Sequence, residues 1–219
     1  MLAPDALVAL LDEHAPFAPC ALVPALSAWH TDDEVPLWRA LEAAAGHEVG
    51  VPYFAIAWPS AQLLAKALLE GRIAVRDRRV VDVGCGSGVV ATAAMLAGAA
   101  SAQALDIDEH AVMAARALAE RHGVTVSARV VDALAAPALV DGDLMLVADL
   151  VSRAAQRTAF ARAVATWRAR GDGIVLVNSG RPFFDPQGLP LAFEVVVPST
   201  SLVDGRSPRS VRVYACSPP

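Results

Sequence analysis

The chemistry open to this sequence rests on acids set within or just after short strand-like runs. Asp82 lies inside the first run, in the stretch 79–88, R-V-V-D-V-G-C-G-S-G. Asp106 follows the run 102–105, Asp132 follows 126–131 and Asp149 follows 144–148. After Asp82, Gly84, Gly86 and Gly88 alternate with other residues, and 89–97 is small, apolar and helix-compatible. Strand, glycine turn and helix together make the first half of a nucleotide-binding βαβ unit. Glycine lacks a Cβ, so the backbone turns tightly and a ligand can approach closely. The helix beyond aims free N–H groups and its positive end at that ligand. The spacing is D-x-G-x-G-x-G, whereas the dinucleotide fingerprint G-x-G-x-x-G would put its third glycine at Val89. A pyrophosphate has no need of Asp82, but a cationic amine pairs with a carboxylate. No Lys-Ser/Thr pair closes the loop, which excludes a P-loop.

The elements that position these acids read as an alternation of strands and helices. Runs 79–83, 102–105, 126–131, 144–148 and 173–177 predict five strands, and 144–148 is continuously apolar, as a central parallel strand should be. Helices are expected over 59–70, from Pro59 to just before Gly71, over 109–122, which Gly123 ends, and over 156–170. The runs 193–197 and 210–216 alternate as two final strands, with Asp204-Gly205 turning between them. Strand C-termini in open α/β sheets face the ligand crevice, so Asp149 is the best catalytic candidate. Asp106 lies about 20 residues past the glycine turn, where such folds place the carboxylate that binds ribose hydroxyls. Asp108 is the competing reading there, as the cap of the next helix. Before the helix at 59 comes the charge-free segment Tyr53-Phe54-Ala55-Ile56-Ala57-Trp58. Two readings stand for it: a hydrophobic brace for the core, or a wall that sets Trp58 over the ligand pocket.

S-adenosylmethionine carries a cationic amine and no phosphate, and it is the cofactor expected. At these residues the chain resembles the class I (seven-β-strand) S-adenosylmethionine-dependent methyltransferases. The segment 52–65, P-Y-F-A-I-A-W-P-S-A-Q-L-L-A, is similar to P-Y-W-A-x-x-W-P-G-G-x-x-L-A of the electron-transfer flavoprotein β-subunit lysine methyltransferase subfamily. The likeness takes in Asp82–Gly88, Asp106-Ile107-Asp108, Asn178-Ser179-Gly180-Arg181-Pro182 and 210–216. It implies an α/β, Rossmann-like fold: a mostly parallel seven-stranded sheet with a C-terminal antiparallel hairpin over 51–219, after an N-terminal helical extension at 1–50. It further implies a cofactor site of Trp58, Asp82, Gly84, Cys85, Gly86, Gly88, Asp106, Ile107 and Asp132, with Asp132 on the adenine amino group. The competing reading of Asp132 is a strand-end cap. The related enzymes carry Asp-x-x-Tyr where this chain has Asp149-Leu150-Val151-Ser152, then Arg153 where an acid is usual; Ser60 and Ala61 replace a Gly-Gly.

The implied activity is N-methylation of lysine in a protein, with the electron-transfer flavoprotein β-subunit a candidate partner. Ser152 is smaller than Tyr, which opens two alternatives: a small-molecule amine as acceptor, or a protein that binds cofactor without transfer. Arg181 is either a substrate contact or part of a structural ion pair. A nicotinamide-dependent oxidoreductase is disfavoured by Val89 and by the lack of a Tyr/Lys pair. The 219 residues are 55% hydrophobic and 19% charged, enough for one sizeable buried core. A net charge of −5 gives no basic face for nucleic acid, and Arg72, Arg76, Arg78 and Arg79 read as a solvated turn. Residues 83–105 are uncharged but rich in Ala and Gly, which reads as buried helix and strand, not as a membrane span. Residues 2–11 read as a short helix, 25–50 as irregular or weakly helical with Trp29 and Trp38 buried. The N-terminus lacks a basic leader, and three dispersed cysteines without C-x-x-C fit a cytoplasmic protein with no metal site. His14, His30, His47, His110 and His122 are scattered and read as solvated or capping, and Cys85 as a loop residue, not a nucleophile.

Overall fold

The computed structural model describes residues 2–198 and 208–216. After a helix α1 (Pro4–His14), strands β1 (Phe17–Cys20) and β2 (Val23–Trp29) pair as an antiparallel hairpin, followed by α2 (Val35–Ala45) and α3 (Pro59–Leu69). Then β3 (Arg79–Val83), α4 (Val89–Leu96), β4 (Ser101–Asp106), α5 (Glu109–Arg121), β5 (Ser127–Val130), β6 (Leu144–Ala148), α6 (Arg157–Ala169) and β7 (Gly173–Asn178) alternate. Strands β8 (Leu191–Val197) and β9 (Arg209–Cys216) close the sheet. Its order is β5-β4-β3-β6-β7-β9-β8, with β3 to β7 parallel and β9 antiparallel to both neighbours. The seven-stranded, mostly parallel sheet with its antiparallel end matches the expected fold class. The turn expected at Asp204-Gly205 lies outside the described residues.

Side chains alternate across a strand, so each strand feeds two cores. Val80, Ala104, Leu146 and Val177 face α3, α4 and α5, while Val81, Val83, Leu105, Val147 and Leu176 face α6 through Phe160, Val164 and Trp167. In register, Val83 pairs with both Leu105 and Val147. The C-terminal ends of β3, β4 and β6 are therefore level, and the residues that follow them emerge along one edge. At the opposite end, Arg79 forms ion pairs with Asp141 and Asp143 and clamps β3 to the start of β6.

The N-terminal fifty residues differ from the reading. They hold a β-hairpin as well as two helices, with Phe17 paired to Trp29 and Ala18 to Ala28 across it. Leu7, Leu11, Leu26, Leu37 and Leu41 share one core with Leu64 and Val89. Trp29 is buried and donates to Asp12, whereas Trp38 is only half-buried and donates to the Val49 carbonyl. This layer holds the 53–58 segment in place. Thr31 N–H donates to the Ala55 carbonyl, Ala57 N–H to His30 Nδ1, and Gln62 links Leu22 N–H to the Ala57 carbonyl.

Candidate functional site

The three loop glycines do different things. A Cβ on Gly88 would stand 2.5 Å from Ala115 Cα, so this glycine lets α4 pack on α5. A Cβ on Gly84 would meet the Leu150 side chain at 2.5 Å, which ties the loop to the end of β6. Only Gly86, at φ +47°, has open space where a Cβ would be. Gly84 and Cys85 donate their N–H groups to the Leu105 carbonyl, and Gly86 N–H donates to Asp106 Oδ2 at 3.0 Å. The Cys85 thiol is buried and its pKa is pushed well up by desolvation, so it is no nucleophile.

Asp82 is 2% exposed. Two residues on from Val80, it points to the α4 face of the sheet, and Oδ2 accepts from Ala91 N–H at 3.1 Å. One of the α4 N–H groups expected to face a ligand is thus taken by this carboxylate. Burial pushes the Asp82 pKa up to about 7, and the nearby Asp106 charge adds to the rise. A carboxyl whose native pKa lies above its unfolded value stabilises the fold fully below the unfolded pKa, and that stabilisation is lost as pH rises through about 7. Asp82→Asn should remove this slope, of up to about 1.4 kcal/mol per pH unit. Urea unfolding of both proteins from pH 4.5 to 7.5 checks it; parallel curves would refute the assignment.

Asp106, Ile107 and Asp132 meet in a cleft of about 360 Å³ beyond the ends of β3, β4 and β5, with Gly84 and Leu134 also in its wall. Asp106 accepts from Gly86 and Asp108 N–H groups, and burial raises its pKa. Asp108 caps α5 by accepting from His110 N–H. Ile107 is 71% exposed, an apolar face standing in the open. Asp132 Oδ1 accepts from Leu134 and Ala135 N–H groups, so the strand-end cap is present. Asp82, Cys85, Gly86 and Gly88 do not line the cleft; they build the turn beneath it. The far wall holds residues the sequence reading did not nominate: Arg153, Ala155, Ala159 and Arg162. Ala155, Ala159 and Arg162 recur at i, i+4 and i+7, a helical spacing that follows β6 and could have flagged them. His110, read as solvated or capping, is instead buried, stacked on Phe54 and 3.4 Å from Asp108 Oδ1.

Asp149 sits past the end of β6 at φ +49°, a left-handed conformation that costs a non-glycine residue energy. Its Oδ1 accepts from Ser179 N–H at 2.8 Å and Oδ2 from Ser179 Oγ at 2.5 Å. The Arg181 Nε lies 3.8 Å from Oδ2, so the ion-pair reading of Arg181 holds. The same guanidinium stands over the Trp58 ring, 5.0 Å from its centroid, and Trp58 Nε1 donates to the Tyr53 carbonyl. Trp58 and Asp149 are thereby brought together through Arg181. Ser152 is exposed, and its N–H and that of Arg153 donate to Gln156 Oε1. Among the described residues no His, Cys, Asp or Glu cluster could hold a metal, and no helix is long and apolar enough to cross a membrane.

This sheet, with its glycine turn and acid-lined cleft, is the class I methyltransferase fold. TrmN from Thermus thermophilus shares it at TM-score 0.55 and 22% identity, over 84% of this chain and 53% of that one. Magnesium protoporphyrin IX methyltransferase from Synechocystis, solved with bound S-adenosylmethionine, shares it at TM-score 0.51 and 15% identity, over 72% and 79%. A family model described as ribosomal protein L11 methyltransferase (PrmA) matches residues 62–154. The chain is 37% identical over 99 residues to the electron transfer flavoprotein beta subunit lysine methyltransferase of Danio rerio, 45% of this chain and 38% of that protein. It is 51% identical over 51 residues to the ribosomal protein L11 methyltransferase of Haemophilus influenzae, 23% and 17% respectively. The match thus spans well under half of these curated relatives. The expected resemblance to class I methyltransferases, and to the flavoprotein-directed subfamily within them, holds.

Proposed function

We propose that the protein is an S-adenosylmethionine-dependent N-methyltransferase acting on a lysine of a protein substrate. The observation that carries this reading is the convergence of Asp106, Ile107 and Asp132 on one cleft, with Asp149 at the neighbouring strand end. The residues fit the cofactor. Asp106 offers a carboxylate for ribose hydroxyls, the exposed Ile107 an apolar face for adenine, and Asp132 an acceptor beside it. Gly86 leaves its backbone open to close approach. Bound there, S-adenosylmethionine supplies a methyl already activated on a sulfonium. The chain's own work is to bind, orient and exclude water. Asp149, with Ser179 fixing both oxygens, is set to hold an acceptor amine by a charge-assisted hydrogen bond. An orientation within about 3–3.5 Å of the reacting carbon is what such fixing provides. A lysine ammonium, with an ordinary pKa of about 10.4, must first lose its proton.

Protein lysine is favoured over a small amine because the relatives' names speak of protein substrates, a flavoprotein subunit and ribosomal protein L11. Calorimetric titration with S-adenosylmethionine tests the cofactor half. Wild type should bind, and Asp106→Ala should bind at least tenfold more weakly, the loss of about 1.5–3 kcal/mol expected for hydrogen bonds to a charged group. No binding by the folded wild type would overturn the reading.

A further inference from the structure

Trp58 and Arg181 join Asp149 in a group larger than the orientation of an acceptor amine by one carboxylate requires. The guanidinium of Arg181 lies between an aromatic face and a carboxylate, 5.0 Å from the Trp58 centroid and 3.8 Å from Asp149 Oδ2. An aromatic ring face and a carboxylate are the two surfaces that recognise an alkylammonium ion. The cation now between them belongs to the protein. Its hold is incomplete: Arg181 Nε is buried yet has no hydrogen-bond partner, and at 3.8 Å the pair is charged but not hydrogen-bonded. A buried donor without an acceptor weakens the arrangement that contains it. The Arg181 side chain keeps 26% of its surface, whereas that of Asp149 keeps 7%. The backbone before Arg181 is firmly tied, with Ser179 on Asp149 and Gly180 N–H on Asn178 Oδ1. Gly180 itself, at φ +90°, has open space where a Cβ would be, and provides a pivot between that anchor and Arg181.

We propose that Trp58 and Asp149 form the subsite for the acceptor's cation, and that Arg181 occupies it until an alkylammonium group displaces the guanidinium. The inference rests on the reading of Asp149 as the group that orients an acceptor amine, and adds the competitor and the ring to it. It makes Arg181 a specificity-determining residue. A long, unbranched alkylammonium can reach past the guanidinium and enter between ring and carboxylate, whereas an uncharged acceptor gains nothing by displacing it. Trp58, expected as a wall over the cofactor, does not line the cleft and is thereby assigned to the acceptor side.

The test is a fluorescence titration of the full chain with n-butylammonium chloride, a mimic of the lysine side chain, at constant ionic strength. Trp58→Phe identifies the part of the signal that Trp58 contributes. Arg181→Ala should bind the probe roughly fivefold more tightly than wild type, the size expected from removing one cation–π contact and one partly exposed ion pair. Arg181→Lys, which restores a cation, should return the affinity to within about twofold of wild type. A structural role alone would not show this rescue, and both variants are checked for cooperative unfolding first. Equal or weaker binding by Arg181→Ala, or by Arg181→Lys and Arg181→Ala alike, overturns the proposal. Titration of the same variants with S-adenosylmethionine reads the cofactor site separately. Failure there would count against the methyltransferase reading, while the butylammonium result judges the cation subsite.

Discussion

Gly88→Ala should cost the domain about 3–5 kcal/mol, the largest stability loss of any single methyl added to the loop. Two terms add. The residue stands at φ +80°, where a side chain is strained, and the new methyl would lie 2.5 Å from Ala115 Cα and 2.6 Å from its Cβ. Backbone cannot swing aside as a flexible side chain can, so α4 and α5 must separate. Gly86→Ala is the control. Its φ of +47° carries the same conformational penalty, but nothing lies within 4 Å of the added methyl. That variant should lose only about 1–2 kcal/mol. Urea midpoints at unchanged slope measure the pair. Equal losses for the two glycines would mean that α4 and α5 are not packed as described.

Asp149→Asn should lower kcat/KM for methyl transfer by about 10²–10³-fold while leaving the fold largely intact, the range found when one preorganised polar group is removed from a reaction centre. Asn is the discriminating replacement. It tolerates the left-handed backbone at φ +49°, and its Oδ1 can still accept from Ser179 N–H. What it lacks is the charge that would orient an ammonium and that now faces Arg181. Asp149→Gly would relieve the backbone strain and yet lose activity equally. The stability of the two variants therefore separates conformational cost from chemistry. A variant at this position that retains full activity would remove Asp149 from the reaction.

The sheet was legible because its strands carry strong local signals. The five strands at 79–83, 102–105, 126–131, 144–148 and 173–177 fall within two residues of the observed bounds, since 144–148 and 173–177 are apolar runs entered from an aspartate and the other three stop at a glycine or an aspartate. The hairpin of β1 and β2 was not legible. Pro19 and Pro24 lie inside those strands, and proline ordinarily argues against a central strand; these two belong to a two-stranded pair with no further neighbour. Asp82 was legible as special, but its direction was not. The parity that turns it to α4, on the Val80 side and away from Val81 and Val83, follows only once the sheet's two faces are assigned. Of the acids singled out, Asp106 and Asp132 share a cleft because β4 and β5 end side by side in register. The meeting of Trp58, Asp149 and Arg181 joins residues from three separate loops. No spacing in the chain announces it, and the half-buried Arg181 was open to either reading until the pair with Asp149 was seen.

The most direct measurement is methyl transfer from S-adenosylmethionine labelled on its methyl group, with proteins of a source-cell lysate as acceptors and mass spectrometry on any labelled product. Methyl-lysine in one or a few proteins, formed by wild type and reduced at least a hundredfold in Asp149→Asn, is the expected outcome. Bound cofactor with no label passing to protein, small amine or any other acceptor would contradict it, and would leave a cofactor-binding protein without transfer activity.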